Sequence, residues 1–464
     1  MYAAKKTYGQ DINTSLGNAA DPIDADQKLQ EDALMSYVAS VNYSYGDKYY
    51  ASFSFRRDGS SRLSPDTRWG NFWSLSASWR LSQEKFMQSL KSVLSDLKLR
   101  ASYGVNGNLP SSYYGYQSTY TTGAFYNGKP SPWESTLGNE ELTWEKNYAL
   151  NLGLDIGLFS RVNVSLDWYT RTTKDLLMSK QLNSISGFSS LLTNVGQMRN
   201  TGVELEVRSN NIKTKDFSWT TAFNLSHNKN KILKLADLPW FVDGRYVRKE
   251  GYPFNTIYLR EYAGVDPETG SALYYDNQQD ENGNYTKNKV TDPGQASPIP
   301  LKDITPTISG GFMNTFNYKF IDLSFNLSYS FGGYSYDNAS YILQDDGYSV
   351  ISNKSTEQRR RWQKPGDITD VPRFVYGNKK GGNYNSSRAI HSTDHIRLKS
   401  LILGLNAPKA WLQKLGIGNA RIYFSGTNLL TWAAYGQYDP EMSGVVGFYT
   451  PPLKTYAFGL ELKF

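Results

Sequence analysis

The chain has 464 residues, no cysteine, a formal net charge of +7, a mean hydropathy of −0.55 and 14% aromatic residues. The absence of cysteine excludes disulfide scaffolds, thiolate catalysis and most zinc sites. Lys and Arg form no block of five or six like charges, so a nucleic-acid partner is not indicated. No stretch approaches the roughly 18–20 consecutive apolar residues of a membrane helix, but a transmembrane β-barrel has a similarly low hydropathy because only alternate residues face lipid.

The first 34 residues are polar and rich in Asp, Gln and Asn. We expect them to form a loop, with a short helical turn near residues 24–34, or to be a remainder of an upstream part of a barrel. No apolar stretch of 7–15 residues follows a basic start, so no signal peptide is visible. If the protein is exported, this predicts that the chain is a mature, truncated or partial product.

Alternation of apolar and polar residues begins at residue 34, with the period of two that is typical of β-strands. In residues 69–81 it continues for about a dozen residues, whereas strands of soluble proteins usually have about 5–6. Residues 82–96 are a polar connector with helical character, and residues 228–304 are predicted to be irregular. The pattern predicts thirteen strands, at residues 34–44, 48–56, 69–81, 97–104, 144–157, 160–172, 200–209, 217–227, 305–318, 320–331, 394–406, 418–430 and 455–464.

The last ten residues read TYAFGLELKF and end on an aromatic side chain. Their length matches a tilted membrane-spanning strand, which has roughly 9–11 residues. Five large apolar residues share one face of this strand: Tyr456, Phe458, Leu460, Leu462 and Phe464. We therefore predict that these five residues act in barrel assembly, as the terminal strand.

The connections between the predicted strands alternate between short and long along the chain. Short periplasmic turns on one rim and long extracellular loops on the other are typical of outer-membrane barrels. The sequence therefore predicts an all-β, antiparallel up-and-down transmembrane β-barrel over residues 35–464. Single-chain bacterial barrels have even strand numbers, so the odd count indicates that at least one strand lies upstream.

Polar residues at alternate strand positions are expected to face the lumen of this barrel. The lumen-facing candidates are Arg56, Arg80, Glu204, Glu206 and Arg208. A glycosidase would use a pair of carboxylates, and Glu204 and Glu206 share a strand face. With Arg208 on that same face, a solvated lumen lining is the better interpretation.

No motif for catalysis, a cofactor or a metal is found. The three histidines, His227, His391 and His395, form no HExxH arrangement, and the sequence contains no GxSxG or phosphate-binding loop. The residue types of the segment Asp276, Asp280, Asn282 and Asn284 suggest a calcium loop. Its spacing is not that of an EF-hand, so a solvated turn is expected, and we predict a protein that is not an enzyme.

Several blocks, in this order along the chain, resemble the carboxyl-terminal barrel of SusC/RagA-like TonB-dependent outer-membrane transporters. They are YYASFSFRRDGSSRLSPDTRWGNFWSLSASWRLSQEKF at 49–86, LRASYGVNGN at 99–108, ELTWEKNYALNLGLDIGLF at 141–159, NVGQMRNTGVELEV at 194–207, TNLLTWAAYGQYDPEM at 427–442 and the terminal TYAFGLELKF. The resemblance implies a 22-stranded barrel in the outer membrane of a Gram-negative bacterium, contacting its lipid. It also implies an amino-terminal plug through which TonB acts, and a SusD-like lipoprotein lid. The sequence has no TonB box or plug, so the similarity covers only about the last half of the family pattern.

In such transporters the cargo is a glycan or an oligopeptide too large for porins. Aromatic residues in the long loops are candidates for stacking on sugar rings or contacting the lid protein, although packing of the loops on themselves is an equal alternative. These candidates are Tyr113, Tyr114, Tyr116, Trp133, Trp240, Phe241, Trp362 and Tyr435.

The resemblance predicts TonB-dependent import of glycans or oligopeptides as the SusC-like component of a two-protein complex. Two alternatives share the strand pattern or part of it. One is a passive, porin-like or structural outer-membrane barrel, and the other is a soluble carbohydrate-binding β-protein. An upstream plug would separate the first alternative from a transporter, and partition into water without detergent would favour the second.

Overall fold

The computed structural model describes residues 2–8, 19–26, 30–127, 129–235, 239–378, 385–412 and 416–464. One large antiparallel sheet dominates this part of the chain. Its thirteen strands are β1 (Leu34–Tyr45), β2 (Tyr49–Ser60), β3 (Trp69–Arg80), β4 (Leu94–Asn108), β5 (Glu145–Leu158), β6 (Val162–Lys174), β7 (Gln197–Lys213), β8 (Phe217–Lys234), β9 (Ile308–Tyr318), β10 (Ile321–Phe331), β11 (His395–Asn406), β12 (Asn419–Ala433) and β13 (Thr455–Lys463).

Each strand of this sheet pairs antiparallel with its neighbours in the sequence. The predicted all-β class, up-and-down order and strand number are therefore confirmed. At the two ends, β1 pairs with β2 and β13 pairs with β12, and neither has a second partner strand among the described residues. The sheet consequently has two open edges.

The strand register places apolar side chains on one side of the sheet across many strands. One row of directly paired residues, on β3 to β8, is Trp79, Leu99, Leu154, Leu166, Leu205 and Leu225. The adjacent row on the opposite side is Ser78, Arg100, Gly153, Asp167, Glu204 and Ser226. We call the two sides the apolar face and the polar face.

The apolar face is exposed although its side chains are large. Leu75 is 54% exposed, and Phe458 near the carboxyl end is 82% exposed. The buried hydrophobic clusters instead lie among the long connections and the strand ends that adjoin them, for example around Trp144 and Ile257. A continuous exposed apolar surface of this kind marks contact with a membrane or another protein.

The connections confirm the predicted alternation of short and long. The short rim holds the turns before β2, β6, β8 and β10, and two slightly longer connectors that contain helices. The long rim holds residues 61–68, 109–144, 175–196, 235–307, 332–394 and 434–454. The helices are α-helices Asn338–Leu343 and Lys409–Leu412 and 3₁₀ helices Leu81–Gln83, Lys85–Leu90, Ser184–Ser186, Pro293–Gln295, Thr356–Arg360 and Ser387–Ala389.

The long connections carry short strands of their own: Thr119–Tyr126, Lys129–Thr136, Leu177–Gln181, Ser190–Asn194, Trp240–Asp243, Tyr246–Lys249, Thr256–Leu259, Tyr262–Val265, Ala272–Tyr275, Lys289–Val290, Ile299–Asp303, Tyr334–Asp337, Ile390–Ser392 and Gly444–Val446. The prediction that residues 228–304 are irregular was therefore wrong. Strands of two to five residues are too short to produce a recognisable alternation. In addition, β8 continues seven residues beyond its predicted end at residue 227, to Lys234.

The expectation of a loop over residues 1–34 is corrected for two stretches. Tyr2–Tyr8 and Ala19–Asp26 pair as an antiparallel two-stranded sheet, separate from the large one. These two strands are polar, so they show no alternation of apolar and polar residues by which they could be predicted. The predicted helical turn is also absent: the described residues between 24 and 34 form none. The alternative, that this segment belongs to an upstream part of a barrel, stays a prediction.

No helix among the described residues is long and apolar enough to cross a membrane.

Candidate functional site

The long connection between β8 and β9 forms an open pocket of about 420 Å³. We call it the Trp240 pocket; the lining residues used below are Trp240, Lys249, Tyr258, Asn277, Gln278 and Tyr285. Trp240 lies opposite Lys249 in a hairpin that turns at Gly244, whose φ of +61° favours glycine. The next strand brings Tyr258 beside the indole, with ring centroids 5.9 Å apart at an interplanar angle of 48°.

The opposite wall of the Trp240 pocket is held by hydrogen bonds to Asp276. Its carboxylate accepts bonds from the Thr286 hydroxyl at 2.7 Å and from the backbone and side-chain nitrogens of Asn288 at 3.1 and 2.9 Å. Burial opposes ionisation of Asp276, but these bonds lower its pKa below the ordinary value. The segment that carries Asn277 and Gln278 is thereby fixed in place.

The amides of the pocket contact the segment after Gln295. Asn277 donates to the Ser297 carbonyl at 3.5 Å, and Gln278 donates to the Ser297 hydroxyl at 3.3 Å. Asn277 is 2% exposed, and its side-chain oxygen accepts no hydrogen bond from the described residues. This oxygen has almost no accessible surface, so it faces the protein and not the open pocket.

A second candidate residue, Tyr435, belongs to a different cluster. Its ring stacks on His391 at 3.7 Å and 3°, and its hydroxyl lies 3.1 Å from an Asp337 oxygen and 3.2 Å from the Ser340 hydroxyl. Burial raises the pKa of Tyr435 and lowers the pKa of His391. The cluster joins the connection after β12 to the connection after β10.

A cavity of about 270 Å³ adjoins this cluster and is lined by Asp337, Ser340, Tyr438 and Tyr449 among others. Asp337 also caps the helix Asn338–Leu343 by accepting from the Ser340 backbone nitrogen at 2.8 Å. The polar groups here are largely paired with one another, so they favour a role in joining the two loops.

Three candidates lie together in the connection between β4 and β5. The Arg62 guanidinium lies over the Tyr113 ring at 4.1 Å, and the Tyr113 and Tyr114 rings are 6.4 Å apart. The Tyr116 hydroxyl accepts from the Gln117 amide at 3.0 Å. In the same connection, Trp133 is 56% exposed. Contact of these four residues with a ligand or lid stays a prediction.

Two further candidates pack against the protein itself. Phe241 packs against the buried cluster that includes Ile232. Trp362 donates from its indole nitrogen to the Pro267 carbonyl at 2.8 Å, and a Cβ at Gly270 would lie 2.4 Å from the Trp362 ring. Both side chains have packing roles that account for their aromatic character.

The five predicted lumen residues all lie on the polar face. Arg56 forms an ion pair of 2.6 Å with the buried Asp58, and Arg80 pairs with Asp47 at 3.0 Å and Asp96 at 2.9 Å. On β7, Arg208 forms an ion pair with Glu206, and Glu204 lies on the same face.

A charged network on the polar face was missed by the sequence analysis. Arg100 donates to both oxygens of Asp155, at 2.9 and 3.0 Å, and to both oxygens of Asp167, at 3.0 and 2.9 Å. A Cβ at Gly153 would lie 2.6 Å from the guanidinium carbon, so glycine leaves room for this arrangement. The sequence does show charged residues at polar positions of β4, β5 and β6. Their contact with one another follows only from the register in which these strands pair.

A second missed group connects β11 to the connection after β12. Arg397 is 2% exposed and donates to Asp439 at 2.7 Å and Glu441 at 3.1 Å. Lys399 reaches the same Glu441 at 2.6 Å. These pairs hold the last long connection against the sheet.

The considered metal and calcium sites are not supported in the part of the chain that the structure describes. No group of three or more His, Asp or Glu there is arranged to hold a metal ion. The Asp280 carboxylate accepts from the backbone nitrogens of Asn282 at 2.9 Å and Asn284 at 2.8 Å, which is a solvated Asx turn as expected.

Comparisons with known proteins identify close similarities. A family model described as "TonB dependent receptor-like, beta-barrel" matches residues 3–257. The chain is 33% identical to TonB-dependent receptor P3 of Formosa agariphila, over 94% of this chain and 46% of that protein. It is 30% identical to TonB-dependent receptor SusC of Bacteroides thetaiotaomicron, over 95% of this chain and 45% of that protein.

A solved structure with a similar fold is that of the RagAB peptide transporter. It matches with a TM-score of 0.86 and 30% identity, over 97% of this chain and 49% of that chain. The RagAB peptide importer in the "open-open" state matches with a TM-score of 0.85 and 30% identity, over 97% and 48%. The chain therefore spans about half the length of the relatives that it matches.

Proposed function

Because the chain belongs to the TonB-dependent receptor-like β-barrel family, we propose that it is the C-terminal barrel part of a transporter that imports nutrients across the outer membrane of a Gram-negative bacterium. The observation that supports this most strongly is the match of the chain, with its thirteen-stranded sheet, to the structure of the RagAB peptide transporter at a TM-score of 0.86. Transport, rather than catalysis, fits a site built from loops and a polar strand face.

In this proposal the apolar face of the sheet contacts lipid. Its row of Trp and Leu side chains would otherwise be exposed to water, at a cost of roughly 25 cal/mol per Å² of apolar surface. The polar face would line the lumen or contact a plug, and Arg100 with its two carboxylates would then meet water or plug residues. The long connections would lie outside the cell.

We also propose the partners and cargo of the intact protein. A SusD-like lipoprotein would close over the long connections, and TonB would act through a plug that belongs to the rest of the protein. The cargo would be a glycan or an oligopeptide. Support comes from the similarity to SusC and to the RagAB peptide transporter.

The test is uptake by the source bacterium with and without the intact gene. Uptake of oligosaccharides and oligopeptides of porin-excluded size should fall on deletion, return on complementation and fall equally when TonB is inactivated. Uptake that depends on the gene but persists without TonB would favour a passive, porin-like barrel. Recovery of the protein in the aqueous fraction without detergent would favour the soluble alternative.

The lid partner is tested separately by affinity purification of the detergent-solubilised protein. A lipoprotein that co-purifies in a stoichiometric amount would support the two-protein complex. Purification of the transporter alone, with uptake unimpaired, would contradict it.

A further inference from the structure

We propose that the Trp240 pocket binds one pyranose unit of a glycan, so that the loop between β8 and β9 is a cargo-selecting site. This inference rests on the proposed import function and narrows its cargo class to glycans. The evidence is the combination of an exposed aromatic surface and amide groups among the described residues that line the pocket.

Part of the aromatic surface is left open to solvent. Trp240 is 44% exposed, while Val247 behind it is fully buried and the adjacent Phe241 packs into a hydrophobic cluster. A single exposed aromatic side chain is common on protein surfaces, but here a second ring lies beside the indole. The exposed indole, with Tyr258 beside it, offers a surface for a flat partner with an apolar face.

A pyranose ring has such a face, because its axial C–H groups form an apolar patch on one side. Its hydroxyls project around the ring edge, where each can donate and accept a hydrogen bond. Gln278 supplies an amide donor and acceptor on the opposite wall, which Asn277 also lines. The cavity volume of about 420 Å³ lies within the roughly 300–1,000 Å³ of small-molecule sites.

The charge of the described lining disfavours a basic peptide. Among the described residues that line the pocket, Lys249 is the only charged one. A neutral sugar satisfies this lining, and Lys249 also permits an acidic sugar. The wall that carries Asn277 is already fixed by Asp276, so little ordering entropy opposes binding.

The experiment uses the full-length protein, purified in detergent, on an array of neutral and acidic plant, algal and microbial oligosaccharides, with a random-sequence peptide array beside it. We expect at least one glycan series to bind and Trp240→Ala and Tyr258→Ala each to weaken that binding by roughly tenfold, the upper range for loss of an aromatic stacking contact. Trp411→Ala and Tyr376→Ala are the matched controls, because both side chains are exposed and lie outside the pocket. Both controls should bind as the unchanged protein does.

Folding of each variant is checked by heat-dependent migration of the barrel and by the protease fragments of residues 235–307. Three results would overturn the assignment: no arrayed glycan binds, glycans bind equally to folded Trp240→Ala, or only peptides bind in a Trp240-dependent way. In each of these cases TonB-dependent uptake can persist, so the import function would stand. Loss of the import function itself would appear as gene-independent uptake.

Discussion

On the polar face of the sheet, one arginine binds two carboxylates from neighbouring strands. Arg100 satisfies four carboxylate oxygens at once through a planar guanidinium, an arrangement that a lysine could not reproduce. The two carboxylates come from neighbouring strands, so the network also crosses β4, β5 and β6. A charged residue at this position therefore stabilises the sheet as well as contributing to its polar face.

The two faces of β10 give a sharp test at the level of one residue. Leu327 pairs with Phe312 and Leu398 on the apolar face, whereas Asn326 pairs with Met313 and Ser400 on the polar face. If Leu327 lies near the bilayer midplane, Leu327→Arg should cost about 2–4 kcal/mol, because a cation would face lipid.

The matched change Asn326→Arg should be tolerated, because the new cation would face the lumen. Both variants are compared by denaturant unfolding of the protein folded in lipid vesicles. Equal destabilisation by the two changes would contradict the assignment of faces.

A buried ion pair orders the connection between β10 and β11. Arg388 donates to Asp346 at 2.5 and 3.2 Å, and Gln358 donates to the same carboxylate at 2.9 Å. Burial raises the pKa of Asp346. Arg388→Ala should destabilise this connection by about 3–5 kcal/mol, because it leaves a buried carboxylate without its cation.

Hydrogen exchange of residues 332–378 measures this effect, since the barrel strands would stay folded. The loss of protection should shrink as the pH falls, because protonation neutralises the orphaned carboxylate. An Arg360→Ala control removes an exposed arginine of the same connection and should change little. Equal exchange in the two variants would show that the buried pair does not order the connection.

The candidate site could be predicted from sequence only as a set of residue types. Trp240 and Phe241 are both aromatic and adjacent, but neighbouring residues in a strand point to opposite sides, so one lines a pocket and the other packs inside. Arg100 was missed because each strand was examined alone, whereas its partners are 55 and 67 residues away along the chain. The surroundings of Trp240 and Phe241 and the partners of Arg100 are both determined by how distant segments of the chain pair.

Among the elements, the hairpin of β5 and β6 contains backbone strain. Phe159 and Ser160 both have a φ of +52°, a left-handed conformation that costs an L-residue roughly 1–2 kcal/mol. Two consecutive residues with positive φ are typical of a type I′ turn, which favours glycine at its second position.

Ser160→Gly should therefore stabilise the protein by up to about 1 kcal/mol, and Ser160→Val should destabilise it, because a β-branched residue adopts this conformation poorly. Denaturant unfolding in detergent micelles would measure both free energies. A stabilising valine would contradict the turn geometry.

The strands of the sheet were predictable because each has a face that must be apolar, and this forces alternation over many residues. The strand ends at the long rim were not predictable. In β8, for example, the strand Phe217–Lys234 continues toward that rim in polar residues such as SHNKNK. The short strands of the 235–307 connection were not predicted from the sequence for a related reason. Each is stabilised by its neighbours in a small local sheet and not by a lipid-facing pattern.

At the scale of the whole molecule, the open edges of β1 and β13 each require a partner strand. An unpaired strand edge in lipid leaves backbone N–H and C=O groups without partners, at several kcal/mol for each group. Thirteen strands is also an odd number, and the chain spans about half the length of its relatives. We infer that further strands of the same protein close the barrel.

The most direct test is a cryo-electron microscopy structure of the full-length gene product in lipid nanodiscs. We predict that β1 and β13 each pair with a strand encoded upstream, and that the apolar face contacts lipid around the closed barrel. A structure in which β1 pairs with β13 to close thirteen strands, or in which the apolar face packs against protein and not lipid, would contradict this.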